Sequence, residues 1–163
     1  MRVLGLLLLL MLNACGFKPS NVIELSDQNM PFLVNSKDPY SGLADNIERV
    51  LNSSGVRIAG KGEAANTISI HEEDIEKLAL SLDSNAQVTE YRLRYRVIYS
   101  LVGIDGGTLI DKQAIELRRD FNYDVTISSG SPAEEALLKR EMQDEMVRAI
   151  LRRASVVMQP AVQ

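Results

Sequence analysis

The chain has one cysteine, one histidine and no tryptophan, and aromatic residues make up only 5% of it. A single cysteine cannot close an internal disulfide, so the fold must stand on packing. A single histidine excludes a histidine-rich metal cluster. No cofactor or metal is expected from the composition. A large excess of either charge is missing too: 18 basic against 22 acidic side chains leave a formal charge of -4. That balance argues against general nucleic-acid binding, which needs an excess of lysine and arginine to neutralise phosphates. Apolar runs long enough to cross a bilayer are also missing. The longest, Val3 to Leu12, is about half of the roughly 20 residues a spanning helix requires.

What is present begins with that run. Arg2 precedes it, Asn13-Ala14 closes it, and Cys15 follows. A positive start, a short apolar region and a small-residue exit read as a secretory signal peptide over residues 1–14. An uncleaved anchor or a buried core helix is the alternative. "LNAC" resembles the bacterial lipobox, in which the peptide is cut before the cysteine and that cysteine is lipidated. More than one acyl chain gives lasting membrane attachment. A lone cysteine is otherwise a buried small hydrophobe or a reactive thiol, but neither explains its place behind this segment. Gly16 stands where an inner-membrane lipoprotein often has Asp, so the resemblance points to the outer membrane. Residues 15–29, polar and bearing Pro19, read as a tether.

Residues 30–155 carry the patterns of one α+β domain, a two-layer sandwich of about four strands with two helices packed on one face. Pro31 to Val34 is a short strand. Leu43, Ile47, Val50 and Leu51 make one helical face, with Ser41 as N-cap and Gly55 as the left-handed stop. Ile68 and Ile70 start a period-two pattern. "EEDIEK" interrupts it as a solvated acidic segment, and Leu78, Leu80 and Leu82 resume it in the same phase, as one long strand or two short ones. In "VTEYRLRYRVIYSL" the residues Tyr91, Leu93, Tyr95, Val97, Tyr99 and Leu101 share a face opposite Glu90, Arg92, Arg94 and Arg96. "GIDGG" supplies a hairpin turn, and a return strand runs from Thr108 to Tyr123, with Arg119 the exception on its apolar face. Ser131, Pro132 and Glu134 form a capping box for a last helix. Its apolar stripe is Leu138, Met142, Met146 (or Glu145), Ala149 and Ile150, and residues 156–163 are a short tail. The last three strands should be antiparallel. The first can lie parallel to a neighbour, carried there by the early helix.

No nucleophile with a base, phosphate loop or calcium loop appears, so an enzyme is not expected. His71 reads as an exposed or edge-of-sheet histidine. Arg92, Arg94, Arg96 and, on the neighbouring strand, Arg118 are the candidate binding residues, since guanidinium takes phosphate or carboxylate bidentately. Cross-strand ion pairing accounts for them equally well. One hairpin register sets Arg92 against Glu116 and Glu90 against Arg118.

Taken in order, "LNACGF", "PFLVNSKDPYSGLADNIERVLNSSGV", "TEYRLRYRVIYSLVGIDGGTLIDKQAIELRRDFNYD" and "SPAEEALLKREMQDEMVRAILRRA" resemble the LptE family of lipopolysaccharide-assembly lipoproteins. After "CGF", "KPSN" stands where many relatives have a Leu-Arg-Gly stretch. The resemblance implies two helices on a four-stranded sheet, held at the periplasmic face of the outer membrane. It implies a large β-barrel partner, LptD, which the lipoprotein helps to assemble and plugs, and contact with lipopolysaccharide. A generic lipid-anchored binding module or pilotin, and a small periplasmic enzyme, are the competing classes.

Overall fold

The computed structural model describes residues 30–60, 62–123 and 130–159. Cys15, the signal segment and the whole of the tether lie outside the described residues. The described chain runs β1 (Phe32–Ser36), α1 (Gly42–Ser53), β2 (Asn66–Leu82), β3 (Val88–Val102), β4 (Thr108–Asn122) and α2 (Gly130–Met158). The four strands form one sheet in sequence order. β1 is parallel to β2, and the other pairs are antiparallel. Both helices cover the same face of the sheet, so the expected two-layer α+β sandwich is present. None of the described helices is long and apolar enough to cross a membrane.

Each helix forms for a local reason. Ser41 has extended backbone angles and its hydroxyl accepts from the Ala44 N–H at 3.2 Å. That satisfies one of the donors a helix start leaves free. Leu43, Ile47 and Leu51 of α1 are buried against the sheet. Gly55, at φ +81°, reverses the chain in a conformation only glycine adopts without steric cost. α2 inserts Met142, Met146, Val147, Ile150, Leu151 and Ala154 into the same core. It begins at Gly130, so Ser131 lies within its first turn and not ahead of it. It also continues through Val156, Val157 and Met158, which read as tail from the sequence.

β3 is the spine of the sheet. Leu93, Tyr95, Val97, Tyr99 and Leu101 are fully buried beneath the helices. β2 departs from its expected phase. A bulge between Ile70 and Glu72 inserts His71, after which Glu73, Ile75, Lys77 and Ala79 pair with inward-facing β3 residues. Leu78 pairs instead with Arg92 and so lies on the outer face, 39% exposed. The extra residue reverses the parity, because side chains alternate strictly along a strand.

The β3–β4 register is also corrected. Arg92 faces Asp120, Arg94 faces Arg118, Arg96 faces Glu116 and Glu90 faces Asn122. Two causes shift it from the expected one. Gly103 N–H donates to the Gly107 carbonyl (2.7 Å), which centres the turn on Asp105. Two irregularities close to the turn then each add a residue to β4.

Candidate functional site

The face of the sheet away from the helices has no covering element among the described residues. It presents the three arginines of β3 in a row, flanked by acids from both neighbouring strands. Arg92 grips Asp120 with two parallel bonds, Nε to Oδ1 at 2.6 Å and an η-nitrogen to Oδ2 at 2.7 Å. This contact holds the Asp120 carboxyl below the usual carboxylate range. Arg94 pairs with Glu76. Arg96 reaches Glu72 at 2.9 Å, and Arg118 reaches Glu116 on its own strand at 2.8 Å. All four candidate arginines therefore have acidic partners. "EEDIEK" supplies two of them, Glu72 and Glu76, so this segment takes part in an ion-pair ladder and is not merely solvated.

Exposed pairs of this kind contribute little to stability, about 0–1 kcal/mol each. Their arrangement still matters. Arg94 and Arg118 sit directly opposite one another, a like-charge contact that costs energy unless neighbours compensate it. Glu76 and Glu116 do so. An incoming phosphate can exchange with such carboxylates, because guanidinium binds either bidentately.

The inner face holds polar groups that the alternation pattern missed. Tyr95 is fully buried and its hydroxyl donates to Glu73 Oε1 at 2.7 Å. Glu73 Oε2 accepts from the Ser41 hydroxyl at 2.6 Å. One carboxylate thus ties β3, β2 and the start of α1 together. Further along β2, the Lys77 ammonium lies 4.1 Å from the ring centre of Tyr91, with Phe121 and Tyr123 at 5.6 and 5.3 Å. Lys77 also contacts Glu135 of α2 at 2.6 Å, which Lys139 reaches at the same distance. Lys139 first, then Lys77, lower the Glu135 carboxyl pKa. The sequence held one signal of this seam. Arg119 and Glu145, the two charged residues at apolar positions, pair with each other.

His71 bonds to the Ser100 hydroxyl at 2.8 Å. Among the described residues no cluster of histidine, cysteine and carboxylates is arranged to hold a metal ion.

Comparison with known proteins fits this arrangement. Rare lipoprotein B from Shewanella oneidensis superposes with a TM-score of 0.67 at 25% identity, over 77% of this chain and 94% of its own. Lipoprotein B from Nitrosomonas europaea superposes at 0.70 with 27% identity, over 86% and 90%. A minor lipoprotein from Acinetobacter baumannii, 19% identical, shares the fold at 0.63 over 82% and 96%. No curated protein sequence matches significantly. The family described as "LptE: Lipopolysaccharide-assembly" matches residues 32–154, from the first strand to near the end of the last helix. The chain belongs to the LptE lipopolysaccharide-assembly family.

Proposed function

We propose that this chain is an outer-membrane lipoprotein that partners a large β-barrel of the LptD type in lipopolysaccharide transport and assembly. It acts as plug and chaperone of the barrel and contacts the lipopolysaccharide. Residues 1–14 are removed, Cys15 carries the acyl chains, and the tether places the domain at the periplasmic face. The function is assembly and not catalysis. The observation that carries this reading is the family match over residues 32–154. The lipobox-like "LNAC" at Cys15 supports the anchor.

Detergent extraction followed by affinity purification of the full chain tests it. The expected result is stoichiometric recovery of a large β-barrel, with acyl mass on Cys15 that Cys15→Ser removes together with membrane association. Recovery with a different complex would favour a pilotin, and a lone monomer with turnover an enzyme.

Arg92, Arg94 and Arg96 are the proposed contacts to the barrel lumen or to the anionic groups of lipopolysaccharide, exchanging carboxylate partners for phosphates. Replacing all three with Gln is expected to weaken lipopolysaccharide binding about tenfold at low salt, or roughly 1.4 kcal/mol, and to flatten its salt dependence. Unchanged affinity and slope would remove the arginines from the site.

A further inference from the structure

Three cations without an acidic partner lie together elsewhere. A groove of about 600 Å³ opens between the start of β4 and the end of α2, with Lys112, Arg152 and Arg153 along it. Among the described residues none of the three has a carboxylate partner; Arg153 reaches the Gln113 amide oxygen, at 3.3 Å, and lies beside the Tyr99 hydroxyl. Asp111 is the one acid in the groove, and its carboxylate accepts from the Lys112 N–H at 2.7 Å. Apolar surface lies beside these charges. Leu109, Val156 and Val157 are 38%, 65% and 42% exposed. Behind Gln113, on the adjacent strand, the buried Tyr99 hydroxyl makes no hydrogen bond of good geometry and has the Arg153 guanidinium as its polar neighbour.

An apolar trough edged by three cations and one acid complements an anion that carries a hydrocarbon chain. Its volume falls within the roughly 300–1,000 Å³ of small-molecule sites. A peptide strand added along β4 fits less well. Both β4 bulges fall within or beside the stretch that lines the groove, and bulges interrupt the ladder an added strand would need. We infer that this groove takes the acyl chain of a phosphate-bearing lipid, with the phosphate on Arg152, Arg153 and Lys112. This deepens the membrane-surface reading and rests on it for the supply of lipid.

Dodecyl phosphate below its micelle concentration is the probe, titrated into the full chain as purified, with backbone amide shifts as readout. Saturable shifts are expected at residues 109–113 and 152–157. Dodecyl maltoside, with the same tail and a neutral head, should bind at least about tenfold more weakly, and inorganic phosphate should leave these amides unmoved. Arg152→Gln with Arg153→Gln should weaken dodecyl phosphate about tenfold and leave dodecyl maltoside unchanged. Val156→Ser should weaken both. These side chains are exposed, so the melting temperature serves as the folding control. Equal affinity for the two detergents overturns the assignment. So do shifts that ignore the arginine substitutions, the same shifts from inorganic phosphate alone, or tighter binding of an alternating Leu-Glu peptide. No barrel enters this experiment, so its failure is separate from failure of the assembly reading.

Discussion

Replacing Phe32 with alanine is expected to lower the unfolding free energy by about 3–5 kcal/mol, the usual cost of emptying a buried phenylalanine site. Phe32 is fully buried where β1 meets β2 and α1. Its N–H donates to the Arg57 carbonyl at 2.9 Å, and its own carbonyl accepts from the Ala59 N–H at 2.7 Å. The backbone on both sides is therefore held, and the cavity has little freedom to collapse. Against a total stability of about 5–15 kcal/mol, this loss removes a large share of the fold. In urea the midpoint should fall while the slope with denaturant stays unchanged. Leu137→Ala is the matched control. Leu137 is 49% exposed on α2, and its loss should stay within about 0.5 kcal/mol. A Phe32→Ala protein as stable as the Leu137→Ala control would show that β1 is not part of the cooperative unit.

Alkaline pH should destabilise the protein through its buried tyrosines. Burial, then the Glu73 carboxylate, push the Tyr95 hydroxyl far above its ordinary pKa. Burial also raises Tyr99, partly offset by the Arg153 guanidinium. In the unfolded chain a tyrosine loses its proton near pH 10. Between that pH and the raised folded pKa, the unfolded state binds fewer protons than the native one. Unfolding free energy then falls as pH rises, by about 1.36 kcal/mol per pH unit for each tyrosine held neutral. Below pH 9 this contribution is fully retained.

Tyr95→Phe separates Tyr95 from the other groups that titrate there. At pH 8 it should cost about 1–2 kcal/mol, because it removes a hydrogen bond and leaves Glu73 Oε1 without its tyrosine donor. Above pH 10 the two proteins should converge, since only the wild type carries that proton. Urea unfolding from pH 8 to 11.5 gives both numbers. Parallel curves across the range would mean that the Tyr95 hydroxyl reaches water in the folded protein.

Much of the architecture was legible because its signals are local. The β3 face from Tyr91 to Leu101, the α1 stripe with its Ser41 cap and the glycine hairpin each state their structure within a few residues. Faults in the pattern were harder to see. The inserted His71 has no compositional mark, so Leu78 seemed to continue the phase of Ile68 and Ile70 while Lys77 looked outward. The β4 bulges lie beside an ordinary turn, and the β3–β4 register moved with them. Ala86, at φ +60°, turns the chain between β2 and β3 without the glycine that would announce it. At the candidate site, the arginine row was readable from alternation. Its pairing with Glu72 and Glu76 depended on β2, whose parity had already reversed. The groove joins residues some forty positions apart, and no short pattern relates Leu109 to Val156.

The parallel pairing of β1 with β2 has a mechanical consequence. Phe32 through Ser36 lie in register with Asn66 through Ile70. β1 is also the first strand after the N-terminal segment. A tug on that segment directed along β1 slides it lengthwise past β2, so the bonds of the pair share the load and must fail together. Pulling across the sheet would part them one at a time. Force along β1 therefore meets this edge of the sheet in its stronger direction.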